Sequence, residues 1–243
     1  VGVGARRSDA GGGVRELMVE GYRDRSGGLI AFGVVQLVLG CLTAIWTFRI
    51  VAAASSIAVS QGLLLYLLAT LYFIATGIGS MRGRRWARAL IAAVSGVWFA
   101  CGLLFAVPLW YLAGHRWTSI GMISFCALVL PLILTIYYSL RDTALTADAL
   151  DPKPRWTDHA PVPVLAVCIV LTFAAAESLI LAADQRFTFF NTTLVGAPAS
   201  LAYIALAILF AHLAIQMFRL RQYAWWVLVL LHVIGGAVWI ASL

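Results

Sequence analysis

Seven uninterrupted apolar windows constrain this chain more than any motif in it, over residues 28–48, 57–80, 89–113, 118–140, 161–183, 197–218 and 224–243. A helix needs about 20 apolar residues to cross about 30 Å of hydrocarbon, and in lipid it must satisfy its own backbone N–H and C=O groups. The windows therefore predict seven transmembrane helices and an all-α polytopic membrane protein, with the lipid bilayer as its first partner. Composition agrees: 63% of residues are hydrophobic and 11% charged, with a mean hydropathy of +0.95, against about 25% charged in soluble domains. Residues 1–27 hold no apolar core of a signal peptide and read as a disordered cytoplasmic segment.

The net charge of +7 would raise nucleic acid as a partner in a soluble domain. Here the basic residues stand in the turns between spans, which is orientation chemistry and excludes a nucleic-acid role. Segments 1–27, 81–88, 141–160 and 219–223 hold 14 of the 17 lysines and arginines, and the opposite side only Arg49, Arg116 and Arg186. Short loops rich in Lys and Arg stay inside. The expected topology has the N-terminus cytoplasmic and the C-terminus outside. In the turn MRGRRWARAL, residues 81–90, Arg82, Arg84, Arg85 and Arg88 serve as membrane-interface anchors with Trp86 at headgroup level; Arg219 and Arg221 do the same in FRLRQYAWWV, residues 218–227.

These two basic turns resemble one another. Residues 64–91 laid on 201–228, an offset of 137, pair Leu64 with Leu201, Tyr66 with Tyr203, Phe73 with Phe210, Ile78 with Ile215, Arg82 with Arg219, Arg84 with Arg221 and Ala87 with Ala224. The same offset carries Arg49 onto Arg186. Spans one to three (28–113) and five to seven (161–243) then form two parallel three-helix repeats. The fourth span (118–140) and the cytoplasmic loop 141–160 join them in a 3+1+3 order, a layout of repeats related about the membrane normal.

In helix count and length this layout resembles that of SWEET-type sugar facilitators over nearly the whole chain. Their Pro-Gln pair is absent, since no proline here is followed by glutamine. The resemblance therefore implies an architecture and carries no binding residue. The turn GRRWAR is similar to turns of many small bacterial membrane proteins, and a bacterial inner membrane is the expected location.

Ionisable residues inside a span cost about 2.5–3.5 kcal/mol on insertion scales, so each needs a partner or a purpose. Glu177 in the fifth span, with the amides Gln36 and Gln216, is the candidate solute or proton path. Its carboxylate is expected to face the bundle interior or a water-filled cavity. His212 and His232 lie roughly 9 and 12 Å from the inner ends of their spans at 1.5 Å per residue, which makes them candidate ligands for a haem or a chlorin. Pro108 and Pro131 each remove a helix hydrogen bond and free a carbonyl one turn earlier, at Leu104 and Ala127.

Other chemistries find no support. The only lysine, Lys153, lies in a loop, which excludes a retinal Schiff base on the seventh span. No HExxH, GxSxG or Walker A motif is present, so the sequence gives no sign of an enzyme. Cys41, Cys101, Cys126 and Cys168 fall in apolar runs without CxxC spacing and read as buried small residues. The loop 141–160, with Asp142, Asp148, Asp151, Asp158 and three nearby prolines, reads as a solvated linker. Asn191-Thr-Thr matches a glycosylation sequon. The functional expectation is a transporter or facilitator of a small solute, working between two triple-helix units around the fourth span. The alternative is a structural or cofactor-bearing subunit of a larger membrane complex, and homo-oligomers fit either reading.

Overall fold

A computed structural model describes residues 23–53, 60–112, 117–189 and 192–241. Eight helices follow in order: α1 Ser26–Ala53, α2 Ser60–Met81, α3 Arg85–Leu112, α4 Trp117–Ser139, α5 Arg141–Leu150, α6 Val162–Leu181, α7 Ala197–Phe218 and α8 Gln222–Ala241. The fold is all-α and of membrane type. Among the described residues five helices are long and apolar enough to cross a membrane, namely α1, α3, α4, α6 and α7. The described apolar parts of the other two, Tyr66–Met81 in α2 and Gln222–Ile234 in α8, are shorter. Most of the expected disordered segment, with Arg116 and Asn191, lies outside the described residues.

Close helix approach comes from small and hydroxylated residues, because lipid supplies no hydrophobic drive between helices. A side chain at Gly33 of α1 would meet the Gly77 carbonyl of α2 at 2.9 Å, and the reverse substitution meets the Gly33 carbonyl at the same distance. Thr70 Oγ1 donates to Thr43 Oγ1 at 3.0 Å on the same interface. Between α3 and α4, Thr135 donates to Ser95 at 3.0 Å. Pro131 explains a further contact. The five-residue π turn Phe125–Val129 precedes it in α4, and the Ala127 carbonyl points so closely at Gly102 of α3 that no Cβ would fit there.

Three apolar clusters hold the bundle. Leu29, Ile91, Leu134 and Tyr138 join α1, α3 and α4; Ala89 and Ala93 of α3 pack on Val164 and Leu165 of α6; Leu171, Leu213, Met217 and Ala224 join α6, α7 and α8. Helix α3 thus contributes to the first two clusters. Helix α4 packs beside α3 in the first cluster. The alanines of α3 leave room for α6 to approach directly.

The loop 141–160 corrects the linker reading. Its first half is helix α5, with Thr143, Thr146 and Ala147 buried at helical spacing, and a 3-10 turn follows at Trp156–His159. Pro152 and Pro154 come only after the helix has ended. The Arg25 N–H donates to Thr146 Oγ1 at 3.2 Å, and the Tyr137 hydroxyl to the Arg25 carbonyl at 2.9 Å, so α5 is bound to the entry of α1. A second unexpected element is the antiparallel hairpin β1 Arg186–Phe189 with β2 Thr192–Val195. The Gly196 N–H donates to the Gln185 carbonyl at 2.9 Å at its base, and Phe187 packs edge-on against Tyr203 of α7.

The two basic turns have the same backbone. Arg84 N–H donates to the Gly79 carbonyl and Gly83 N–H to Ser80, both at 2.8 Å; Arg221 N–H donates to Gln216 at 3.0 Å and Leu220 N–H to Met217 at 2.8 Å. Both are Schellman caps, in which the αL residue lets the chain turn back over the last carbonyls. That residue is Gly83 (φ 62°) in the first and Leu220 (φ 56°) in the second. Burial agrees in part at the same offset of 137: Thr70, Thr76, Gly77, Ser80 and Ala87 are buried and so are Ala207, Leu213, Ala214, Met217 and Ala224, whereas Gly79, Gly83, Ala89 and Ile91 are buried and Gln216, Leu220, Trp226 and Leu228 are not.

Candidate functional site: a lateral groove with a basic inner end

A cavity of about 700 Å³ runs along the side of the bundle where α2 and α3 meet α6 and α7. Its walls are apolar, with Leu68 and Leu90 on one side and Leu165, Ile169, Phe173 and Ile215 on the other. At its inner end stand Trp156, Phe218 and Arg219, the two rings 6.0 Å apart between centroids. Cys168 also lines it, half-buried, its thiol donating to the Ala214 carbonyl at 3.4 Å.

A second cavity of about 400 Å³ is walled by Ala75, Ile78 and Gly79 of α2, by Trp86, and by Arg82, Arg84 and Arg155. It adjoins the first by helix register. Ala75 is two turns from Leu68 along α2, Trp86 one turn from Leu90 along α3, and Arg155 stands next to Trp156. The walls therefore change from apolar to basic toward the arginine turn.

Ionic contacts hold the loop beneath this end. Arg155 embraces Asp151 with a two-pronged bond, Nε to Oδ2 at 2.9 Å and Nη2 to Oδ1 at 2.7 Å. Arg84 Nη1 approaches the same Oδ1 at 3.4 Å. Asp151 is only 2% exposed, and the Arg155 hydrogen bonds hold its carboxyl below the usual carboxylate range, while Asp151 raises Arg155 in return. Arg85 Nε lies 2.9 Å from Asp148 and its Nη2 3.4 Å from Asp158. Arg88 donates to the Tyr138 carbonyl at 3.3 Å. Of the arginines read as lipid anchors, Arg84, Arg85 and Arg88 thus have protein partners, whereas Arg82, Arg219 and Arg221 are exposed.

The residues read as a solute path are not gathered. Gln36 is buried, 1% exposed, and its Oε1 has no hydrogen-bond partner. Gln216 is half-buried on α7. Glu177 is exposed and does not face the interior of the bundle, the first of its two expected placements. The buried face of α6 carries Leu171, Ala175 and Ser178, and two residues beyond Ala175 the helix has turned roughly 200° away. Among the described residues no hydrogen bond links the three.

The histidines are equally separate. His212 Nε2 lies 3.1 Å from the Tyr223 hydroxyl, and His232 Nδ1 donates to the Leu228 carbonyl one turn back at 2.8 Å. Both side chains are exposed. No group of three or more His, Cys, Asp or Glu residues suited to a metal occurs among the described residues. What sequence reasoning missed is the groove and the loop that underlies it. The available signal was the acidic loop, three of whose aspartates, Asp148, Asp151 and Asp158, pair with the arginine turn.

Fold and site together define an α-helical protein of membrane type with a lateral apolar groove. No protein-family model, curated protein or solved structure matches the chain.

Proposed function

We propose that the chain is an integral membrane transporter or facilitator of a lipophilic small molecule, which enters from the side into the groove between two parallel three-helix units. In this reading seven spans run N-terminus in and C-terminus out, α1–α3 and α6–α8 are the repeats, and α4 with α5 makes the connection. The matched turns and the partly matched buried faces of α2 and α7 support the repeat. The observation that carries the function is the 700 Å³ apolar groove at the junction of the units. Binding sites of repeat-built transporters lie at such interfaces. An apolar wall selects an apolar solute, since a polar one would lose its water without new hydrogen bonds.

The test is flux. Reconstituted protein is expected to speed the transbilayer movement of a fluorescent fatty acid in liposomes. Ala176→Trp, which fills the groove from α6, should reduce that rate at least tenfold while helix content and melting temperature hold. Liposomes with wild-type protein that move the probe no faster than empty ones would end the transport reading. The cofactor-subunit alternative has its own readout: a Soret or chlorin band in the purified protein, lost in His232→Ala, would restore it.

A further inference from the structure

We infer that the basic cavity at the inner end of the groove is a phosphate site, and that its occupant is an anionic phospholipid of the inner leaflet with an acyl chain lying in the groove above. This rests on the groove reading and deepens it by naming the ligand class. Charge is the first ground. Arg82, Arg84 and Arg155 line the 400 Å³ cavity; Asp151 is shared between Arg84 and Arg155, and Asp158 accepts from the Arg155 backbone N–H at 2.8 Å while pairing with Arg85. Over the whole ionic cluster, Arg82, Arg84, Arg85, Arg88 and Arg155 against Asp148, Asp151 and Asp158 leave an excess of two positive charges, and Arg82 is the arginine of the cavity wall that has no carboxylate partner among the described residues. Arg219 adds a further guanidinium at the lower end of the adjoining groove. Arg84 keeps a long contact to Asp151 and is 42% exposed, and Arg82 is exposed in the turn itself. Both can turn toward a ligand with little loss, and guanidinium forks match phosphate oxygens.

Dimensions separate a lipid from free phosphate. The groove is lined on α6 from Leu165 to Ala176, eleven residues or roughly 16 Å of rise. That is about half the roughly 30 Å hydrocarbon core, the depth one leaflet's chain occupies. A soluble phosphate would leave this apolar length empty. Trp86, at the change from apolar to basic wall, stands where an indole favours the headgroup boundary. The repeat also acquires a chemical meaning: the equivalent residues Arg82 and Arg219 approach one amphiphile from the two units.

Quenching measures this directly. Phosphatidylglycerol brominated in its acyl chains is titrated into detergent-solubilised wild-type protein, with brominated phosphatidylcholine as the neutral control; Trp156→Phe assigns the quenched indole. Binding of phosphatidylglycerol should exceed that of phosphatidylcholine by at least tenfold. Arg82→Gln and Arg219→Gln, chosen because neither side chain holds the loop, should each weaken it about fivefold, the effect of one arginine near an anionic surface. Inorganic phosphate at millimolar concentration should not displace the lipid. Displacement by phosphate would overturn the lipid in favour of a soluble anion. Equal quenching by both lipids would overturn the phosphate site while leaving an apolar groove, and quenching by neither would overturn the groove reading as well.

Discussion

Leu220 and Gly83 do the same work with different side chains, and the difference is measurable. A non-glycine residue in the left-handed region costs about 1–2 kcal/mol. Leu220→Gly is therefore expected to stabilise the protein by about 1 kcal/mol, read as a rise in melting temperature in detergent. Gly83→Ala should do the opposite and by more, because the new Cβ would also run into Leu150 of α5. The sequence made the αL position legible at Gly83 and hid it at Leu220. Only the neighbouring Arg-x-Arg, shared by both turns, pointed to the common geometry. Glu177 and the histidines illustrate the reverse. Their rarity in apolar spans marked them out, but the direction a side chain takes depends on which helix face is buried, and in a span apolar on every side the sequence does not say.

At the scale of elements, α5 is the part that composition concealed. Its buried face is Thr143, Thr146 and Ala147, small and half-polar residues that score as solvent-facing, and its anchoring depends on ionic partners more than 50 residues away. Asp151 links it to the arginine turn, which gives a pH dependence of definite sign. Its carboxyl is held low in the folded protein, so the stabilisation is complete above the ordinary value of about 3.9 and is lost as pH falls through the lower folded value. Wild type should melt above Asp151→Asn by a constant margin from pH 8 to 5, and the margin should vanish in stronger acid. A margin that shrinks between pH 8 and 6 would contradict this assignment. The contact between α3 and α4 provides another test. With the Ala127 carbonyl against Gly102, Gly102→Leu is expected to abolish assembly or cost several kcal/mol, because backbone cannot yield as a side-chain tip does.

For the molecule as a whole, each of the seven apolar windows holds a helix, and five of these, among the described residues, are long and apolar enough to cross a membrane. How the helices neighbour one another was not legible: alanines at 89 and 93 carry no hydropathic signature distinguishing a helix contact from a lipid face. The proposed topology is tested with single cysteines in a background free of the four native ones. Thr188→Cys in β1 should react with an impermeant maleimide added outside intact cells, and Leu150→Cys at the end of α5 should not. Reaction at 150 alone would turn the whole molecule over.

The alanine seam between α3 and α6 has a mechanical consequence. Ala89 and Ala93 offer low ridges to Val164 and Leu165, so the barrier to sliding one unit past the other is set by methyl groups in place of interlocked branched side chains. Packed helices with such smooth contacts move by shear, in small translations on the microsecond to millisecond scale. In the proposed reading, a track of that kind would let the groove widen and narrow without any helix unwinding. Ala93→Leu would put a tooth on it: the variant is expected to fold with a modest loss of stability, about 1–3 kcal/mol for an overpacked site, yet to exchange its groove ligand far more slowly than wild type.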